Sequence, residues 1–356
     1  MMRDIMIHYY VIYSDSPKGD PLDQALASSG VPYRLFGRKL SLKYHRRWQL
    51  VLLGLPQLLW RSLGFAWNSL VRESVKPDVV LVGSHFEAFA FLLARFLSRR
   101  PFKIIYLGFI YTSRSSPLLT RLRNAYFSFL FRRIDAVVCY STPEVDRYGQ
   151  IFPHARHKFF FVPYGLHVPV SRYVDHGEPA QNRFFSAGRS GRDYPLLTAA
   201  FADLGLPLTI VCDRHSMQAG CASAPNIEWL TNCHNEQYLS ELHASTVVVV
   251  PLAVDDISAG QMVMLQAMAF GKPVIATRTP TLLDYATDDS GVMLVSPGAR
   301  EELMDAVKTI TADPALTRSM SAMARRTYME RHTPVKYVQN LLAVIERVRA
   351  SGAVAS

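Results

Sequence analysis

The chain has 356 residues, 49% hydrophobic and 19% charged, with a formal net charge of +10. That is enough chain for two domains with their own cores, and the balance excludes a disordered or fibrous protein. Four scattered cysteines, Cys139, Cys212, Cys221 and Cys233, lack C-x-x-C spacing, which excludes a redox or zinc-ribbon motif and suits a reducing cytoplasm.

Met1 to Asp20 holds no apolar core with a small-residue cleavage site, so no secretory leader is expected. Ile5–Ile12 reads as a first strand, Leu22–Ser29 as a short helix and Gly30–Leu35 as a second strand. Next comes a basic run with interleaved aromatics, Arg38 to Trp48, which enters an apolar piece from Gln49 to Val71. Pro56, Arg61, Asn68 and two glutamines argue against a membrane span there. A helix lying in a membrane interface or in the core fits better. From Pro77 the pattern is regular: strands at Asp78–Gly83, Lys103–Leu107, Ala136–Tyr140 and Phe159–Val162 alternate with helices at Phe86–Leu97 and Glu144–Phe152. A further helix carries a second basic–aromatic run, Arg121 to Arg133. Pro163-Tyr164-Gly165 closes this half, and irregular residues 168–183 read as a linker.

The alternation then restarts, with strands at Phe184–Ala187, Leu208–Val211, Ile227–Leu230 and Thr246–Val250 and helices at Tyr194–Asp203 and Asn235–Ala244. Residues 251–277, PLAVDDISAGQMVMLQAMAFGKPVIAT, read as loop, helix, stop and strand. Ser258 and Gly260 are start signals, Met262 to Phe270 is almost wholly apolar, Gly271 and Pro273 stop the helix, and Val274–Thr277 is a buried parallel strand. Gly291–Val295 and helices from Glu301 onward complete the chain. Strands apolar on both faces, alternating with helices, predict two doubly wound parallel sheets facing a cleft, in an α/β architecture. The expected domains are 1–167, 168–332 and a C-terminal helix, 333–356, returning to the first.

Charge divides with the domains: residues 1–175 carry 24 Lys+Arg against 11 Asp+Glu, and the rest carry 15 against 18. The first half therefore seeks anions, and its two basic–aromatic runs point to an anionic membrane surface. No nucleic-acid module is present, and the aromatics sit in helical apolar runs, so nucleic acid is not an expected partner. Cys221, Cys233, His234 and His215 lack paired-ligand spacing, which makes them ordinary thiols and surface histidines rather than a metal site.

Ligands bind beyond the carboxyl ends of strands in open parallel sheets. Two loops of the second half have the residues to hold an anion there. Gly188-Arg189-Ser190-Gly191-Arg192-Asp193 follows one strand and offers two glycines and two guanidinium forks. Ser258-Ala259-Gly260-Gln261 leads into a helix whose N-terminus attracts negative charge. A core helix with one idle polar residue, Gln266, is the alternative for residues 261–270, and a surface-turn ion pair is the alternative for Arg192-Asp193.

With these pieces in hand, the chain resembles retaining glycosyltransferases of the GT-B fold, specifically the large family 4. The resemblance is strongest over about 135–310 and lies in the joint order of Ala136–Ser141, Val162–Leu166, Ser186–Arg189, Leu265–Thr277, Gly291–Gly298 and Glu301–Leu303. It implies a nucleoside-diphosphate sugar as donor, a substrate rather than a cofactor. Arg189, and Arg192 as the nearest match to a family lysine, would bind the diphosphate. Backbone from Gly188 and from Ser258 through Met262 would meet the phosphates or sugar. Gln266 stands where the family has a glutamate gripping the ribose. Ser258 stands where a second glutamate contacts the transferring sugar, with Asp256 as substitute acid. The family's donor-contacting histidine is missing from the loop after Lys103–Leu107, which leaves His85 as the cleft histidine.

The resemblance further implies anomeric retention by front-face attack, in which the leaving phosphate takes the acceptor proton. No Asp-x-Asp is present, so no essential metal is expected. The expected acceptor is lipid-linked or a surface glycan, reached by a protein peripheral to the inner face of the plasma membrane. The alternative is a catalytically silent relative that binds nucleotide-sugar or glycan as a regulatory or assembly subunit, favoured by Ser258 and Gln266.

Overall fold

The computed structural model describes residues 5–13, 21–39, 54–111, 116–173, 182–214, 217, 220–231, 233, 235–253 and 258–353. The chain forms two compact units, residues 1–162 with 337–356, and residues 163–336. Unit 1 holds six parallel strands, β1 Ile7–Tyr13, β2 Tyr33–Lys39, β3 Val79–Val82, β4 Lys103–Leu107, β5 Ala136–Cys139 and β6 Phe159–Phe161, in the order β2-β1-β3-β4-β5-β6. Its helices are α1 Pro21–Ser28, α2 Leu55–Trp67 with a π turn Asn68–Arg72, α3 His85–Ser98, α4 Pro117–Arg133, α5 Thr142–Ile151 and the C-terminal α12 Pro334–Ala353.

β3, β4 and β5 are buried almost throughout, as the continuous apolar runs require when helices cover both sheet faces. On one face Phe65, Phe91, Phe109, Phe131 and Phe152 of the α2–α5 side form an aromatic core with Tyr10. On the other, Leu26 of α1 and Leu341 and Ile345 of α12 pack on Ile7, Leu81 and Val138. Two helices start in the same way. Ser84 caps α3 and Ser141 caps α5, each accepting from the N–H three residues on, while Glu87 and Glu144 reach back to the backbone N–H groups of Ser84 and Tyr140.

Unit 2 repeats the plan with β7 Phe184–Ala187, β8 Leu208–Val211, β9 Ile227–Leu230, β10 Val247–Val250, β11 Val274–Thr277 and β12 Val292–Val295, in the order β12-β11-β10-β7-β8-β9. Its helices are α6 Tyr194–Leu204, α7 Asn235–Ala244, α8 Gln261–Ala269, α9 Pro280–Leu283, α10 Arg300–Ala312 and α11 Pro314–Arg331. The ends of this unit are tied together. Leu166 N–H donates to the His332 carbonyl at 3.1 Å, the Tyr328 hydroxyl to the Leu166 carbonyl at 2.8 Å, and the Tyr285 hydroxyl accepts from Tyr164 N–H at 2.9 Å.

Two expectations shift. The second strand runs to Lys39, so the basic run begins inside the sheet. Most of that run, residues 40–48, lies outside the described residues. Of the apolar piece, Leu55–Trp67 is a helix that ends in the π turn carrying Asn68, while residues 49–53 lie outside the described residues.

Candidate functional site

β7 and β10 are neighbours, with Val247 beside Phe184 and Val248 beside Phe185, so their carboxyl ends open side by side. The loops that follow are bonded to each other. Asp193 N–H donates to the Pro251 carbonyl at 3.2 Å and Ala253 N–H to the Gly191 carbonyl at 2.8 Å, with Arg192 and Leu252 paired between them. Leu252 N–H in turn donates to the Thr277 hydroxyl at 2.9 Å, at the end of β11. The arginine-bearing turn and the approach to α8 are therefore one connected rim.

Two glycines are obligatory on this rim. Gly188 has φ +118°, and a Cβ there would run into the Arg192 guanidinium. Gly260 has φ +88°, and a Cβ would lie 2.8 Å from Val250 Cγ1. With no side chain of its own, Gly260 leaves the first turn of α8 uncapped from that position. α8 then buries Val263, Met264, Leu265, Ala267, Met268 and Ala269 between sheet and outer helices, and each of the four larger side chains contributes on the order of 1.5–3 kcal/mol. Met262 points out of this packing and is exposed.

The two arginines have different places. Arg189 is exposed, and its Nη1 lies 3.3 Å from Asp213 Oδ2, just beyond β8. An exposed pair of this kind contributes little and leaves the guanidinium able to turn to a stronger anion. Arg192 is placed otherwise than the sequence expectation had it. It is buried, with Nε donating to the Ala187 carbonyl at 2.7 Å and Nη1 to the Ser190 carbonyl at 2.8 Å, and burial disfavours its charge. Its guanidinium builds the Gly188 turn from inside. Tyr194, also buried, donates to the Gly188 carbonyl at 2.7 Å and closes the same turn.

Ala259 is buried and Ser258 half-buried ahead of Gly260. Gln261 opens α8 with a buried side chain whose Nε2 has no hydrogen-bond partner among the described residues. A buried amide donor without a partner costs about 1–3 kcal/mol, so this atom marks a place where an acceptor belongs. Farther along α8, Gln266 Oε1 accepts from the Tyr238 hydroxyl of α7 at 2.7 Å. The Tyr238 ring packs edge-on to Phe185 of β7, and burial pushes its phenol above the usual range. Gln266 is thereby held in one orientation by a residue that the sequence reading did not single out, and a tyrosine four residues into α7 gives no local motif by which to find it.

His85 lies in unit 1 at the first position of α3, beyond the carboxyl end of β3. Its Nδ1 is 3.2 Å from the Tyr126 hydroxyl, and its ring packs on Phe86 and Phe127. Burial first, then the charge of Arg123, lowers its pKa below the usual imidazole value, so the ring is neutral at pH 7. Asp256, together with Asp255, lies outside the described residues, as do His215 and His234. Among the described residues no group of three His, Cys, Asp or Glu side chains is arranged to hold a metal.

Residues 192–313 match the family model described as glycosyl transferases group 1. This stretch is a group 1 glycosyltransferase domain. The match begins at Arg192 and takes in α6, α8 and the rim after β10, though not Gly188 or Arg189. No curated protein matches the chain. Among solved structures, a sucrose-phosphate synthase from Thermosynechococcus elongatus is similar at 17% identity and a TM-score of 0.69, covering 98% of this chain and 100% of that one. The Anabaena protein HepE in complex with UDP is similar at 15% identity and a TM-score of 0.62, covering 96% and 100%. A trehalose-6-phosphate synthase, studied for glycosyltransfer with retention, is similar at 11% identity and a TM-score of 0.65, covering 96% and 99%. At such identities the likeness shows the fold, which is GT-B, with the group 1 match covering β8 to β12 of its second sheet but not β7.

Proposed function

We propose that the chain transfers a sugar from a nucleoside-diphosphate sugar to an acceptor hydroxyl with retention of anomeric configuration and without an essential metal. The observation that carries this is the buried Gln261 Nε2 at the start of α8, without a partner among the described residues, on a rim bonded to the Gly188–Arg192 turn. A diphosphate supplies oxygens for such an amide, for the helix N-terminus and for the exposed Arg189 at once. Donors fixed in place stabilise the leaving diphosphate more as its charge develops than in the ground state, which is the condition for catalysis. Arg192 and Tyr194 would act as positioning residues that hold the turn open. Gln266, fixed by Tyr238, keeps its NH2 for the ribose.

Front-face attack, with the leaving phosphate taking the acceptor proton, leaves no nucleophilic carboxylate to be found. His85 and Asp256 are the candidates for contact with the transferring sugar. The acceptor would be lipid-linked or a surface glycan, and the protein would be peripheral to an anionic membrane on its cytoplasmic side. The test is nucleotide-dependent thermal stabilisation, with UDP compared with GDP. One of them raises the melting temperature, and Arg189→Ala removes the rise. Unchanged melting with every nucleoside diphosphate would overturn the reading.

A second reading is favoured by Ser258 and Gln266, which stand at the two positions where the family resemblance places glutamates. It is a binding relative that assembles with or regulates a transferase. Such a protein is stabilised by the nucleotide yet releases none from the sugar donor, and a donor-hydrolysis assay separates the two.

A further inference from the structure

Among the described residues, 18 large apolar side chains are exposed, and 13 of them belong to unit 1. Most of the 13 lie on one layer. Every crossover from β2 through β5 steps in the same direction across the sheet, so right-handed connections put α2, α3 and α4 on one sheet face, where they share a core. Trp60, Trp67 and Val71 form a stripe along α2 and its π turn. Phe96 and Leu97 stand out from α3, and Leu118, Leu122 and Phe129 from α4. Trp60 is 77%, Phe96 79% and Leu97 71% exposed, values that rule out a part-buried rim. Between α2 and α3 an open groove of about 580 Å³ is lined by Trp60, Leu63, Trp67, Val71, Leu93 and Leu97.

The charge of this layer is one-sided. Across α2, the π turn, α3 and α4 the only acidic residue is Glu87, which is buried. Arg72, Arg121, Arg132 and Arg133 are exposed on the same elements, and Arg99 and Arg100 follow α3 directly. Among the described residues no helix is long and apolar enough to cross a membrane. Glu73 and Asp135, which follow the π turn and α4, are part-buried and tied to Arg34 and to Arg95 and Lys103. Exposed aromatics flanked by arginine, with no exposed carboxylate on these elements, suit a surface that is apolar just below a layer of negative charge. A second copy of this chain would set the same arginines against each other without counter-charge.

We infer that the outer face of α2–α4 seats on an anionic phospholipid surface, with Trp60, Trp67, Phe96 and Leu97 at the headgroup–acyl boundary and the arginines on lipid phosphates. The inference rests on the peripheral-membrane part of the reading above and not on the donor chemistry. Its test is co-sedimentation of the full chain with phosphatidylcholine vesicles, alone or with about one-third phosphatidylglycerol. Binding is expected to the second only, to weaken with salt, and to move tryptophan emission to shorter wavelength. Trp67→Glu/Leu97→Glu should abolish binding, and Arg99→Glu/Arg100→Glu should weaken it by about fivefold or more per arginine. Both variants change exposed residues and should keep the parent's melting temperature and its response to nucleotide. Absence of binding to anionic vesicles, or equal binding by the variants, overturns the inference. So does a concentration-dependent dimer that Trp67→Glu dissociates, because the face would then belong to a second copy. Loss of the nucleotide response in the parent alone would count against the donor reading and leave this one standing.

Discussion

Gln261 shows how one side chain separates a stability role from a binding role. Its Nε2 is buried with no partner among the described residues, so Gln261→Leu should leave the unliganded protein as stable or more so, by up to about 1 kcal/mol. The same variant should lose most of the melting rise brought by a nucleoside diphosphate. A purely structural glutamine would give the opposite pattern, a lower melting temperature with an intact nucleotide response. Gly260 carries the complementary prediction. At φ +88°, with Val250 Cγ1 in the space a Cβ needs, Gly260→Ala should cost about 2 kcal/mol or more, read by urea unfolding. The residues of this rim were not equally legible in the sequence. Gly260 was legible, since small residues before an apolar run signal a helix start. That Arg192 would turn inward was not, because an arginine in a Gly-rich turn reads the same whether its fork meets a ligand or its own backbone carbonyls.

At the scale of elements, alternating apolar runs and helical stretches made the strands and most helices readable, because parallel strands covered on both faces leave an unbroken Val/Ile signature. The helix starts could have been read more finely: Ser84-His85-Phe86-Glu87 and Ser141-Thr142-Pro143-Glu144 are both capping-box spacings. What spacing could not give is the cost of burying the carboxyl. Burial pushes Glu87 up to about 7 despite backbone donors at Gly83 and Ser84. The folded protein therefore holds that proton more tightly than the unfolded chain, and stability falls as pH rises from about 4.5 to about 7. Glu87→Gln keeps an acceptor for the backbone without the charge. It should raise the melting temperature at pH 8 and change it little at pH 4.5.

His332 gives the opposite slope. Its Nδ1 lies 3.1 Å from the Tyr164 carbonyl, its ring stacks on Tyr285, and burial lowers its pKa to about 4. The unfolded chain takes the proton first, so this contribution is complete above about pH 6.5 and is lost as pH falls towards 4. His332→Gln should flatten melting temperature against pH in that window.

For the molecule as a whole, sequence position and structural membership part company at the C-terminus. α12 follows unit 2 in the chain, yet Leu341 and Ile345 are fully buried in the core of unit 1. Leu341→Ala should cost about 2–5 kcal/mol and act on unit 1. Hydrogen exchange should show the loss of protection in β1, β3 and β5 and leave β7, β10 and β11 unchanged.

The bond from Leu166 N–H to the His332 carbonyl, with Tyr328 beside it, brings the entry and exit of unit 2 within one hydrogen bond of each other. Topologically the second unit is a cassette spliced into a loop of its host, with both splice points at one place. A stretch inserted in that way can be exchanged for another of the same plan without stretching the host, so donor preference could be inherited as a module while the lipid-seeking face stays unchanged.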